Sequence, residues 1–369
     1  MKRFAWLAVI VICITGFAAV VAGCGGETTT TTAATTTTAP AGGETTTTGG
    51  ESTSTTVGEK MVLKYAHFTS GKDFPGRQLD FWAEEINKRT NGQVEVQKFL
   101  GGTLLTAKNM YDGVLTGVAD IGLSFVTYEP GRFPLLSLND LHGLGYANSA
   151  QGSQAFFDVV WANQDIAELQ DFQVITAFCT EPAYIQTIAK KDSVASLAGT
   201  EIRTAGGAKY LESLGATGVG MPQSEIAQAL QTGVIDGILT SREVLMDFKY
   251  AEKIKYVLNN PLGQVSALVV MKKDKYEALP DNVKEVIQEL APEAAKFAGE
   301  SLDKSVKESI EWSKANQGLT EVELSAEEAA KLEAALQPVT DAWIASVAAK
   351  GLPAEDFYKQ LQEAGAKHK

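Results

Sequence analysis

The chain has 369 residues, 44% hydrophobic and 21% charged, a length and balance that suit a soluble protein of two lobes or domains. A formal net charge of −13 sets its surface against nucleic acid and anionic lipid headgroups, so neither is expected as a surface partner. Cys13 lies in the N-terminal leader and Cys24, just after it, is expected to carry lipid, which leaves only Cys179 and excludes an intramolecular disulfide; His67, His142 and His368 are scattered without zinc-type spacing, and no metal or cofactor is expected.

In chain order, Lys2 and Arg3 precede the apolar run "FAWLAVIVICITGFAAVV", and "VAGC" follows at 21–24. This is the layout of a secretory signal over 1–23. A cysteine directly after small residues resembles a bacterial lipobox, which implies Cys24 as a lipidated mature N-terminus anchored in the bilayer. Residues 25–58 hold 16 threonines, many glycines and almost nothing apolar. Such a segment cannot bury enough surface to order itself, so 24–58 reads as a tether spanning roughly 30 Å. The folded part is expected outside the cytoplasm, on a leash.

"MVLKYAHF" (61–68) alternates and reads as a strand. A helix is expected over 75–90, with Leu79, Trp82, Ala83 and Ile86 on one face and Asn91-Gly92 as its stop. "VEVQKFL" (94–100) predicts a strand, 106–115 a helix and "VADIGLSF" (118–125) a third strand. Strands at 183–191 and 200–205, a helix at 208–215 closed by Gly215, a helix at 224–233 with Ser224 as N-cap, and a strand at 234–241 repeat the alternation. The stretch 242–260 is helical in its first part, 265–273 is an apolar strand, and from Pro280 onward the chain is nearly all helix, with "SAEE" (325–328) as a capping box. Alternating strands and helices imply α/β packing around mostly parallel sheets.

One residue stands apart. Arg203 ends the strand "TEIRTA" beside a glycine corner, where it is placed to meet something; the competing explanation is a surface pair with Glu201.

The run "VASLAGTEIRTAGG" followed by "LGATGVGMPQSEIAQALQTGVIDGILTS" (194–241) resembles the solute-binding subunits of tripartite ATP-independent periplasmic (TRAP) transporters of the DctP type. "VEVQKFLGGTLLTAKNMYDGVLTGVADIGLSF" (94–125) and "ALVVMKKDKYEALPDNVKEVIQE" extend the resemblance over about 60–300. It implies a two-lobed, type II-like periplasmic-binding-protein fold: a first lobe over 59–182 completed by part of 270–369, a second over 183–268, and a return strand with C-terminal helices over 269–369. It implies a receptor that closes over a small organic acid and hands it to small and large membrane permease subunits. It makes Arg203 the arginine that pairs with the ligand carboxylate. A second family arginine falls near Tyr184, Phe125 and Tyr128 stand where related receptors carry polar or charged residues, Thr240 where an Asn is frequent, and Gln223 where an aromatic follows Met-Pro. The pocket is therefore expected to be less charged and more aromatic, suited to a carboxylate on an apolar or aromatic body. His67 and Phe68 close the first strand at the lobe edge. Arg242 follows the 234–241 strand, either to bind the second carboxylate of a diacid or to start the next helix on the surface.

The same binding role in an ATP-driven (ABC-type) importer is the alternative. An extracytoplasmic enzyme is disfavoured: the chain has no G-x-S-x-G elbow, no H-E-x-x-H and no cysteine with a plausible histidine partner.

Overall fold

A computed structural model describes residues 59–206 and 208–369. The expected signal, Cys24 and tether lie outside them. The first half of the chain supplies β1 (Met61–His67), α1 (Phe74–Arg89), β2 (Val94–Phe99), α2 (Met110–Leu115), β3 (Ile121–Phe125), α3 (Ser149–Ala162) and β4 (Phe172–Cys179). Then come β5 (Tyr184–Thr187), β6 (Glu201–Thr204), α4 (Ala208–Ser213), β7 (Thr217–Gly220), α5 (Ile226–Thr232), β8 (Gly237–Thr240), α6 (Val244–Asp247) and β9 (Tyr256–Leu258). The last third holds β10 (Ser266–Lys272), α7 (Lys273–Glu277), α8 (Asp281–Gln317), β11 (Thr320–Val322), α9 (Ala326–Ala348) and α10 (Ala354–Lys367).

The strands form two sheets, ordered β2-β1-β3-β10-β4 and β11-β9-β5-β8-β6-β7, so the architecture is the two-lobed α/β fold. Pairs β1–β2, β1–β3, β6–β7, β6–β8 and β9–β11 are parallel. The antiparallel joins all involve β10 or β5, the strands that follow the first two passages between the sheets; α8 leads a third, from β10 in the first sheet to β11 in the second. The first two passages run side by side: Thr180 N donates to Val265 O at 2.9 Å, Ala183 N to Gly263 O at 2.6 Å and Leu262 N to Ala183 O at 2.8 Å.

Local chemistry explains most element ends. Asp73 accepts from Gly76 N at 3.1 Å and caps α1, whose buried stripe includes Leu79, Trp82, Ala83 and Ile86. Asn91 and Gly92 then take positive φ and end it. The helix expected from 106 starts only at Met110, because Asn109 Oδ1 accepts from both Thr106 N and Thr106 Oγ1, at 2.7 and 2.8 Å, and closes a turn instead. Ser224 does not cap α5: Pro222 leads into a 3-10 turn over Gln223–Glu225, and the helix begins at Ile226 with no side-chain cap. Ser325 does cap α9, accepting from Glu328 N at 3.2 Å, but the Glu328 carboxylate turns to Val194 N at 2.7 Å rather than completing the box.

β10 lies between β3 and β4, with six of its seven residues buried, which accounts for its unbroken apolar run. α8 packs against α1, α3 and β4. Its small residues Ala291, Ala294, Ala295, Ala298 and Gly299 let α3 approach closely, and its Asp303 carboxylate accepts from Ser149 N and Ala150 N at 2.8 and 3.0 Å, capping α3 from a neighbouring helix. A Cβ on Gly299 would stand 2.6 Å from Ala150 Cα and 2.8 Å from Ser149 O. Gly299→Leu is accordingly expected to destabilise the protein by about 1–3 kcal/mol through overpacking, read as a lower urea midpoint with an unchanged slope.

Candidate functional site

Strand register builds the site. Arg203 on β6 pairs with Ile238 on β8, and Thr240, two residues further along β8, pairs with Tyr184 on β5. Side chains alternate along a strand, so Arg203, Thr240 and Tyr184 share one face of the second sheet. Gln186 lies on the same face and donates from Nε2 to Thr240 O and Ser241 O at 2.8 and 3.1 Å, which fixes the backbone just past β8.

Arg203 is 1% exposed. Its Nε donates to Met221 O at 2.9 Å and its Nη2 to Tyr128 Oη at 3.3 Å. It forms no ion pair with a carboxylate among the described residues; Glu201, the competing partner, is exposed at the start of the same strand. Tyr128 belongs to the segment after β3, so this hydrogen bond joins the two sheets' sides of the cleft. Around it Phe68, Phe125 and Tyr128 form an aromatic triangle with ring centroids 5.4–5.9 Å apart. Tyr250, which the sequence reading did not single out, is 3% exposed and donates to Gln223 O at 3.2 Å. Burial raises its phenol pKa, and the nearby Arg203 works against that rise.

The remaining expected residues fall in different surroundings. His67 is fully buried: Nε2 meets Asp73 Oδ1 at 3.3 Å and the Thr69 hydroxyl, and Nδ1 is buried without a partner among the described residues. It thus braces the cap of α1. Burial opposes ionisation of Asp73, yet hydrogen bonds from His67, Thr69 and Gly76 N hold its pKa below the ordinary value. Gln223 is half-buried at the turn before α5. Arg242 is not the exposed helix start that one reading offered. Its guanidinium stacks 3.8 Å from the Tyr184 ring centroid, donates to Glu181 from Nε at 3.1 Å and from Nη2 and to Glu321 from Nη1 at 3.3 Å, while its backbone N donates to Glu181 Oε2 at 3.0 Å. Its fork is committed to Glu181, a buried residue at the crossing between sheets that no local motif advertises.

A separate cavity of about 560 Å³ opens on the opposite face of the same strands, against Thr204, Leu239, Ala183, Thr127 and Trp343. None of the predicted site residues lines it. Among the described residues no cluster of His, Cys, Asp or Glu is arranged to hold a metal, and no helix is long and apolar enough to cross a membrane. Cys24 lies outside the described residues.

Residues 65–346 match the family described as bacterial extracellular solute-binding protein, family 7 (DctP). A TRAP periplasmic solute-binding protein from Desulfovibrio salexigens is 35% identical with a TM-score of 0.76, covering 84% of this chain and 96% of its own. A marine metagenome TRAP solute-binding protein described as specific for aromatic acid ligands, seen with 3-hydroxybenzoate, is 31% identical with a TM-score of 0.78, covering 84% and 99%. The C4-dicarboxylate-binding periplasmic protein DctP of Rhodobacter capsulatus is 24% identical over 81% of this chain and 91% of its own.

Glu243, just past β8, is 3% exposed with Oε2 unpartnered among the described residues. Burial, with the charges of Glu181 and Asp247 acting the same way, pushes its carboxyl from 4.5 up to about 8. The native chain keeps a proton there that the unfolded chain releases above its ordinary pKa, so the associated stability is complete below about 4.5 and is lost as pH rises through about 8. Glu243→Gln is expected to melt at least about 2 °C above the parent at pH 8.5, the size of a 1 kcal/mol change in chains of this class, with a smaller gap at pH 5, in ligand-free thermal scans.

Proposed function

Since the chain belongs to bacterial extracellular solute-binding protein family 7, the DctP-type TRAP solute-binding proteins, we propose that it is the extracytoplasmic receptor of a TRAP transporter for a small organic acid with an apolar or aromatic body. The observation that carries this is Arg203: a cation 1% exposed, at a strand end facing the other lobe, with no carboxylate partner among the described residues. Burying an uncompensated charge is expensive, and a ligand carboxylate supplies the missing charge in the bidentate geometry that guanidinium favours.

The Phe68–Phe125–Tyr128 triangle supplies the apolar side. Burying about 100 Å² of a ligand ring against it contributes roughly 2–3 kcal/mol, while the single charge fixes orientation. The 3-hydroxybenzoate bound by the 31%-identical relative fits this division of labour. Lobe closure about the paired crossings brings Tyr128 and Arg203 together over the ligand, so affinity reflects the closed state. Membrane subunits, one small and one large, read that state, and a lipid on Cys24 holds the receptor near them. Genes for such a pair beside this one, without an ATPase, separate this reading from an ABC-type importer.

Arg203→Ala is expected to weaken binding of benzoate or 3-hydroxybenzoate at least about 100-fold, from the loss of two charge-assisted hydrogen bonds. The ligand-free melting temperature should stay within a few degrees of the parent. Normal calorimetric binding by this variant would falsify the site. Phe125→Ala should cost an aromatic acid about 10-fold, the loss of part of one apolar wall, while acetate, which has no ring to bury, binds both proteins alike.

A further inference from the structure

Resting on that receptor reading, we propose that Glu181 sets the acid class: its carboxylate occupies the place of a ligand's second carboxylate beside Arg242, so that the receptor takes monocarboxylates and rejects diacids. Two guanidinium groups stand on one face of the second sheet. Arg203 comes from β6; Arg242 follows β8 and lies over the ring of Tyr184 on β5. β8 separates β6 from β5, so a ligand lying across β8 turns one end to Arg203 and the other to Arg242.

The two cations are treated oppositely by their own chain. Arg203 has only neutral partners, Met221 O and Tyr128 Oη. Arg242 is met by both Glu181 oxygens: Oε2 accepts from its backbone N at 3.0 Å and Oε1 from Nε at 3.1 Å and from Nη2. Glu321, half-buried, takes Nη1 at 3.3 Å. Glu181 cannot turn aside easily. It follows Cys179, the end of β4, by two residues, and Thr180 N is bonded to Val265 O and Thr180 Oγ1 to Glu181 O at 2.9 and 2.8 Å. A second ligand carboxylate entering here would face a buried carboxylate already holding the donors it needs, and like charges out of water repel strongly. The family name leaves this open, since one relative is named for C4-dicarboxylates and another for aromatic acids.

The test is calorimetry of the full chain with benzoate and isophthalate as probes. The parent should bind benzoate at least about 100-fold tighter than isophthalate, given a like-charge cost of several kcal/mol. Glu181→Gln keeps the shape and the oxygen facing Arg242 N but drops the charge. It should narrow that preference by about 10-fold or more, chiefly through tighter isophthalate binding. A doubly neutral variant, Glu181→Gln with Arg242→Gln, should lose the isophthalate gain of the single variant, because no cation is left to meet the second carboxylate; a gain that persists without Arg242 overturns the proposal. A parent that prefers isophthalate overturns the proposal. So does an unchanged preference in Glu181→Gln while binding still depends on Arg203, and that result leaves the receptor reading standing. Acid binding indifferent to Arg203→Ala overturns both.

Discussion

A guanidinium held out of water without a carboxylate of its own is the constraint around which this molecule is arranged. Arg203 can occupy that position only because β6 is flanked by β8 and β7, because Met221 O and Tyr128 Oη take two of its donors, and because the other lobe covers it. Every other feature of the site is either a support for that charge or a wall beside it. The aromatic triangle lowers the local polarity and so strengthens the attraction for an anion. Tyr250 and Gln186 hold the surrounding backbone.

The cluster of buried acids beside the site gives the region a second character. Glu181 is balanced by Arg242, whereas Glu243 has an unpartnered oxygen and a carboxyl pushed up to about 8. Arg203 is thus left without an acid, Arg242 is neutralised by Glu181, and burial pushes the Glu243 carboxyl toward its protonated form.

Much of this was legible in the sequence, and the exceptions are local. Strong periodicity located α1, and the unbroken apolar run located β10, whose neighbours β3 and β4 bury it on both sides. Motif order pointed to Arg203. α3, β4, β7, β9 and β11 went unassigned: β7, β9 and β11 are strands of four, three and three residues, too short for a period to register, and β11 joins the second sheet from far down the chain. Asn109 and Pro222 displaced helix starts through turn chemistry that competes with helix propensity. Glu181 and Tyr250 were invisible for another reason: their importance comes from what they face across the fold, Arg242 in one case and the Arg203 neighbourhood in the other. His67 shows the converse, a residue at a suggestive strand end whose partners, Asp73 and Thr69, are local.

The side-by-side bonding of the first two passages between sheets has a mechanical result. Two separate threads would allow the lobes to twist, slide and splay. A pair of strands stitched together at Thr180–Val265 and Ala183–Gly263 behaves as a strip, pliant across its width and stiff within its plane. Gly263 sits against the Asp140 carbonyl with no room for even a methyl group, so the strip lies flush with its bed. With α8 as a further connection between the sheets, the halves are held so that Tyr128 of one reaches the Arg203 guanidinium of the other at 3.3 Å.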